Sequence, residues 1–259
     1  MLVFVTALKS ARASRDWGRV CRLFERTARS ACAQTAGEFR HIVVVHDRPA
    51  IQFEHPNLEF MQANYPAPAG ETVRKQLDDR KRKVFLGLLH ARRYSPTHVT
   101  FLDADDLVNR RLAAHAAIAP EANGWYFRRG YVYGEGMDTV YLMRRRFHQW
   151  SGTSHLLAFR LLRFPRGDDL DAFSRENRFL NHVLCERLCR ERGTALQPLP
   201  FAGAVYCVAH GDNSYDHTPF LWPPNPAKRL VKRLLHYRPL TPAIRAEFGL
   251  SPAPAAAVY

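Results

Sequence analysis

No C-x-x-C pair occurs in this sequence, no apolar run approaches the ~18 residues needed to cross a bilayer, and no segment repeats. Acid is scarce too: 24 Asp and Glu stand against 38 Lys and Arg, for a net charge of +14. Each shortage excludes something. The five cysteines (Cys21, Cys32, Cys185, Cys189, Cys207) are odd in number and unclustered. That argues against a disulfide framework or a zinc ribbon and for a reducing compartment. Cys185 and Cys189, four apart on an expected helix, read as core packing. The opening "MLVFVTALKS" has a short apolar run with no basic segment before it, unlike a signal peptide. The expectation is a cytoplasmic protein, soluble or peripheral at the inner face of the plasma membrane. The basic excess favours polyanionic partners. Because the basic residues are dispersed, without a helix-turn-helix, zinc finger or aromatic RNA-binding signature, nucleic acid is not expected among them.

What is present is core. A chain of 259 residues with 46% hydrophobic composition can bury one substantial interior. "LVFVTAL" (2–8), "HIVVVHD" (41–47), "LEFMQAN" (58–64) and "HVTFLDADD" (98–106) read as strands. Trp17, Val20, Cys21, Phe24, Ala28 and Ala31 share one helical face, and residues 72–93 turn helical again. The order β-α-β-β-α-β, with strands apolar on both faces, predicts a mostly parallel Rossmann-like α/β sheet with helices on both sides. Ligands bind such sheets beyond the carboxyl ends of the strands. Thr6, Asp47 and the acids of "LDADD" all fall at such ends.

The second half is less regular. "WYFRRGYVYG" and "DTVYLMRRRF" look like strands, and "GTSHLLAFRLLRF" fits a strand or a short helix. A helix is expected from Ser174, as N-cap, to Arg192, ending at Gly193. A strand at 204–208 runs into a loop, and "AKRLVKRLLHY" (227–237) forms a last helix before a flexible tail, 251–259. This divides the chain into a main domain, 1–225, and a basic amphipathic C-terminal segment, 226–259.

Adjacent carboxylates repel, and each raises the other's pKa. A divalent cation with oxygen ligands relieves that repulsion. Asp103 and Asp105, at i and i+2, project to one side of a continuing strand and can offer two carboxylates to one ion. Asp106 would point away or cap a helical turn. The alternative is that these acids simply stabilise the N-terminus of a following helix.

"FLDADD" at the end of the fourth strand resembles the Asp-x-Asp motif of nucleotide-sugar-dependent glycosyltransferases of the GT-A fold, and is most similar to the family-2 group. "VFVTALKS…RLFERTARSACAQT…HIVVVHDRP" resembles that family's opening. "DDRKRKVFLGLLHA" resembles the helix before the motif strand, "SRENRFLNHVLCERLCRERG" the acidic pair and its helix, and "HGDNSY" the late histidine loop. These segments cover roughly residues 2–215, and their order and spacing carry the likeness. The resemblance implies a hexosyltransferase-type enzyme of bacterial-type cell-surface polysaccharide or glycolipid synthesis. Its partners would be a nucleotide-sugar donor and a glycan or lipid-linked acceptor. Mn²⁺ or Mg²⁺ would neutralise the departing diphosphate. Asp105 would be a direct ligand, Asp103 would hold the ion or the ribose, and His210 would be a third contact. Asp47 would read the nucleobase edge and Thr6 would sit by the base or ribose. Arg82 and Lys83 would meet the uridine or phosphates, although the family's usual Ala-Arg-Asn is missing there. Glu176 would take the acceptor's proton, with Asn177 in place of the pair's second acid and Asp168, Asp169 or Asp171 in reserve.

Plainer roles exist for each: a loop histidine, a turn acid before Arg48-Pro49, a satisfied strand threonine, a solvated basic helix face, and an acid in a helix's first turn. At the C-terminus, Lys228, Arg229, Lys232, Arg233 and His236 fall on one helical face. Leu230, Val231, Leu234 and Leu235 fall on the other. That pattern suits an anionic membrane surface; the alternative is a helix packing its apolar face on the domain. Other functional classes are a non-catalytic sugar-nucleotide-binding domain, a nucleic-acid-binding protein and a metallophosphoesterase.

Overall fold

The computed structural model describes residues 1–36, 38–68, 72–167, 169–211 and 225–250, with backbone alone at 73, 228, 229 and 233. The first half follows the expected order. β1 (Leu2–Ala7), β2 (Phe39–Val45), β3 (Leu58–Gln62) and β4 (His98–Phe101) are connected through α1 (Trp17–Cys32) and α2 (Val73–Ala91). β1 lies between β2 and β4, β3 flanks β2, and all four run parallel. Alternation along the strands sorts the side chains onto two faces. Val3, Val5, Ile42 and Val44 pack with Phe85 and Leu88 of α2. Leu8, Val43 and Val45 pack with Val20, Phe24 and Ala28 of α1. α2 approaches closely at Gly87, where a Cβ would lie 2.6 Å from Val5 Cγ1. α1 starts at Asp16, whose carboxylate accepts the Arg19 N–H at 2.8 Å.

The chain continues through β5 (Leu107–Val108), α3 (Leu112–Ile118), β6 (Gly124–Tyr126), β7 (Gly130–Gly134), β8 (Thr139–Met143) and β9 (His155–Ala158). Then come α4 (Leu170–Glu176), α5 (Cys185–Glu191), β10 (Gln197–Pro198), β11 (Ala204–Val208), α6 (Pro226–Leu235), β12 (Tyr237–Pro239) and α7 (Pro242–Phe248). Among the described residues the main sheet has the order β10-β6-β9-β4-β1-β2-β3, with β9 antiparallel to both neighbours. A second sheet has the order β12-β8-β7-β11-β5. The architecture is therefore α/β, with a sheet that is parallel where it binds α1 and α2. All five cysteines are buried and free.

Several elements differ from the sequence expectation. "WYFRRGYVYG" divides into β6 and β7, which belong to different sheets. "GTSHLLAFRLLRF" is β9 followed by a 3-10 turn at Phe159–Leu161. The helix expected over 174–192 is broken. It begins at Leu170 with Asp169, not Ser174, as N-cap. It stops at Asn177, whose buried side chain accepts the Arg163 N–H and donates to the Arg163 and Phe173 carbonyls. A side chain that satisfies backbone groups in this way competes with continuation of the helix. After a 3-10 turn at Arg178–Leu180, α-helix resumes at Cys185, and Gly193 follows it with φ +71°.

Contacts cross the boundary expected at 225/226. β12 pairs with β8, Phe248 is fully buried, and Glu247 binds Asn109 and Arg111. The expected tail, 251–259, lies outside the described residues. Among the described residues, no helix is long and apolar enough to cross a membrane.

Candidate functional site

A cleft of about 730 Å³ opens at the carboxyl ends of β1 and β4. Its floor is Ala7–Lys9 and Asp103–Asp105; α2 contributes Gln76, Asp79 and Arg80. Trp150, Gly152, Asn181, His182, Val183 and Tyr206 close the other side.

β4 ends at Phe101, so Asp103 and Asp105 stand on a turn and not on the continuing strand expected from their spacing. The turn is fixed from three directions. The Asp103 N–H donates to Thr153 Oγ1 at 2.9 Å, the Asp106 N–H to the Asp103 carbonyl at 3.1 Å, and Thr27 Oγ1 to the Ala104 carbonyl at 3.0 Å. Both acids reach the cleft, with side chains 29% and 25% exposed, but each has its own nitrogen partner. Arg80 grips Asp103 Oδ1 through Nε at 3.1 Å and Nη2 at 2.5 Å. His210 Nε2 lies 3.0 Å from Asp105 Oδ2. β11 delivers that imidazole through Ala209 at φ 64°, an uncommon conformation for a residue with a Cβ, and the His210 carbonyl accepts from Arg19 Nη1 at 2.8 Å. Asp106 turns inward and is fully buried, accepting from Ser151 Oγ at 3.1 Å and the Cys207 N–H at 3.0 Å. Burial, with Asp105 and Asp103 adding repulsion, holds its pKa well above the usual carboxylate range.

The other expected residues are placed as follows. Thr6 is buried on the α1 side of the sheet, with Oγ1 2.9 Å from His41 Nε2, and does not face the cleft. Asp47 is exposed outside the cleft lining and accepts the Ala11 N–H at 2.9 Å. Arg82 lies over the Tyr65 ring at 4.1 Å. Lys83 is fully buried; its Nζ donates to the Leu8 carbonyl at 2.6 Å and pairs with Asp79 at 2.8 Å. It ties the floor loop to α2 and presents no cation to a ligand. Glu176 and Asp169 are exposed at the two ends of α4 and do not line the cleft; Asp169 caps the helix through the Ala172 N–H. Asp168 and residues 212–215 of "HGDNSY" lie outside the described residues.

Sequence reasoning missed Arg80, Trp150, His182 and Tyr206. Arg80 was concealed in the run Arg80-Lys81-Arg82-Lys83; the signal was its i+4 spacing from Gln76, which puts both on the cleft side of α2. His182 was assigned to an unbroken helix. The break between α4 and α5 instead brings Asn181–Val183 to the cleft. Burial is the main influence that lowers the His182 pKa, opposed by Asp103 and assisted by Arg80. Its imidazole is therefore neutral near pH 7, and no ring hydrogen bond occupies it among the described residues.

Fold and cleft together define an α/β protein whose cleft carries acids and a guanidinium. No protein-family model matches the sequence, and no curated protein matches it either. Among solved structures, residues 1–349 of S. aureus TarS are similar at 15% identity and a TM-score of 0.45, over 80% of this chain and 60% of that one. A longer S. aureus TarS structure is similar at 14% identity and a TM-score of 0.39, over 80% and 36%. The chain thus spans about 60% of the shorter structure. Likeness at this level is no basis for assigning function; the cleft's own residues are.

Proposed function

We propose that this chain is a nucleotide-sugar-dependent glycosyltransferase. It transfers a hexosyl group to a hydroxyl of a glycan or lipid-linked acceptor, in cell-surface polysaccharide or glycolipid synthesis on the cytoplasmic side. One observation carries the reading: Asp103, gripped by Arg80, and Asp105, backed by the buried His210, stand side by side in a cleft at the carboxyl end of a parallel sheet.

Arg80 supplies a planar cation suited to a phosphate oxygen, and Asp103 holds it in place. Asp105 and His210 fit a divalent ion as two protein ligands. Among the described residues no larger His, Cys, Asp or Glu group gathers for a metal, so the remaining positions would fall to the donor's diphosphate and water. When bound, Mn²⁺ or Mg²⁺ would neutralise the leaving diphosphate. In the transfer the acceptor oxygen bonds to the anomeric carbon, the bond from that carbon to the diphosphate breaks, and the hydroxyl proton leaves. His182, neutral and in the cleft, is the group placed to take that proton. Glu176 and Asp169 would need a rearranged α4 to do so.

Because Glu176, Asp169 and Asp171 do not line the cleft, a domain that binds sugar nucleotide without turnover is the second reading. Thermal melting with UDP- and GDP-sugars, with and without Mn²⁺, tests the class; a ligand at a hundred times its Kd adds about 2.7 kcal/mol. Stabilisation by a donor that needs Mn²⁺, and is lost in Asp105→Asn, supports the site. Release of nucleoside diphosphate then separates turnover from binding alone. No stabilisation by any donor overturns the reading.

A further inference from the structure

The helix α6 is inverted relative to an ordinary surface helix. Leu230, Val231, Leu234 and Leu235 are 58%, 54%, 70% and 57% exposed. Lys232, and His236 just beyond the helix end, touch the protein. Lys232 Nζ lies 5.5 Å from the Tyr141 ring centroid, and the His236 ring stacks on Tyr141 at 4.9 Å and 15°. The His236 carbonyl accepts the Leu142 N–H at 2.9 Å, anchoring the helix end to β8. A water-facing stripe of four aliphatic side chains on one short helix opposes the usual arrangement, in which that stripe is buried. The packed-helix alternative drawn from the sequence therefore does not hold.

The surroundings of the stripe select its occupant. From residue 217 to 246 the sequence contains no Asp or Glu. Arg144, Arg145 and Arg146, all exposed, leave β8 just past the residue that anchors α6. An apolar strip among cations matches a bilayer interface that carries anionic headgroups. A second copy fits poorly. Ten residues make a helix of roughly 15 Å. Two such strips bury a few hundred Å², against the roughly 1,200 Å² of a stable dimer. We infer that α6 lies in the surface of an anionic membrane, with Leu230, Val231, Leu234 and Leu235 inserted between the lipids and the neighbouring arginines on the headgroups. Lys232, turned onto Tyr141, belongs to the anchor and not to the lipid contact.

The test is co-sedimentation of the full chain with vesicles of phosphatidylcholine alone or with about 30% phosphatidylglycerol. Binding is expected only to the anionic vesicles. It should weaken in high salt, and by about fivefold for each arginine of 144–146 changed to Gln. Leu230→Asn with Leu234→Asn, which leaves the charge unchanged, should reduce binding at least tenfold with the melting temperature preserved, since both side chains are already in water. Equal binding of this double variant and the wild type overturns the inference, as does failure of the wild type to bind anionic vesicles. A wild-type dimer that the double variant breaks, in sedimentation velocity without lipid, would reassign the face to a second copy. Neither outcome depends on the sugar-nucleotide reading.

Discussion

Lys83→Met separates a residue that binds a ligand from one that holds the site together. The wild-type Nζ is fully buried between the Leu8 carbonyl, 2.6 Å away, and Asp79, 2.8 Å away. Methionine keeps most of the volume and removes both interactions. Breaking a buried ion pair from one side costs about 3–5 kcal/mol, and an orphaned carbonyl about 1–3. Two features reduce the sum. Asp79 retains the Tyr65 hydroxyl at 2.8 Å and is about one-tenth exposed. Desolvation is the largest influence on Lys83, lowering its pKa, and the substitution removes that penalty. A net loss of about 3 kcal/mol is expected. At roughly 2–4 °C per kcal/mol for a chain of this size, melting falls by about 6–12 °C. Urea unfolding with an unchanged m-value measures the loss directly. Asp79→Asn in the same background should recover at least about 1 kcal/mol of it, because the two residues act as a pair. A Lys83→Met protein that keeps wild-type stability but loses donor affinity would refute the strut and restore Lys83 as a ligand.

Acid should destabilise the fold through His41, whose pKa burial pushes down to about 3. The unfolded chain takes a proton there near pH 6.5 and the native chain does not, so stability falls with pH by about 1.4 kcal/mol per unit between the two values, or about 2 by pH 5. His41→Asn should flatten that slope by one proton in urea titrations between pH 4 and 6; an unchanged slope assigns the proton elsewhere. At Gly152 an added Cβ would lie 2.5 Å from Asp103 Oδ2 and 3.0 Å from Arg80 Nη2. Gly152→Ala should therefore weaken donor affinity about tenfold while moving the melting temperature little, and equal donor affinity would detach the Arg80–Asp103 pair from binding. His182→Asn should lower turnover at least about a hundredfold with donor affinity intact. Glu176→Gln should leave turnover unchanged, and the reverse pattern returns the base to α4.

How much of this could be read in the sequence depended on how local the cause was. β1 to β4, α1 and α2 were legible because runs such as "LVFVTAL" and "HIVVV" admit one burial pattern, and helical spacing from Trp17 to Ala31 admits one face. The rim acids were legible because a charged cluster after an apolar strand has few places to go. Pairing across the fold was not. Thr6 and Lys83 look polar and available in one dimension, but strand alternation turns Thr6 under α1 and helical phase sinks Lys83 into the Leu8 carbonyl. The same phase brings Arg80, one turn earlier, to Asp103. Asn177 shows the limit most clearly. In sequence it is a missing acid in a helical run. In space its amide closes the Arg163 backbone, ends α4 and frees the segment that carries His182 to the cleft. The residue that seemed to weaken the case for a proton acceptor is the one whose hydrogen bonds make room for a different acceptor. A substitution that restores helix propensity there, Asn177→Ala, should remove His182 from the cleft as surely as deleting its ring.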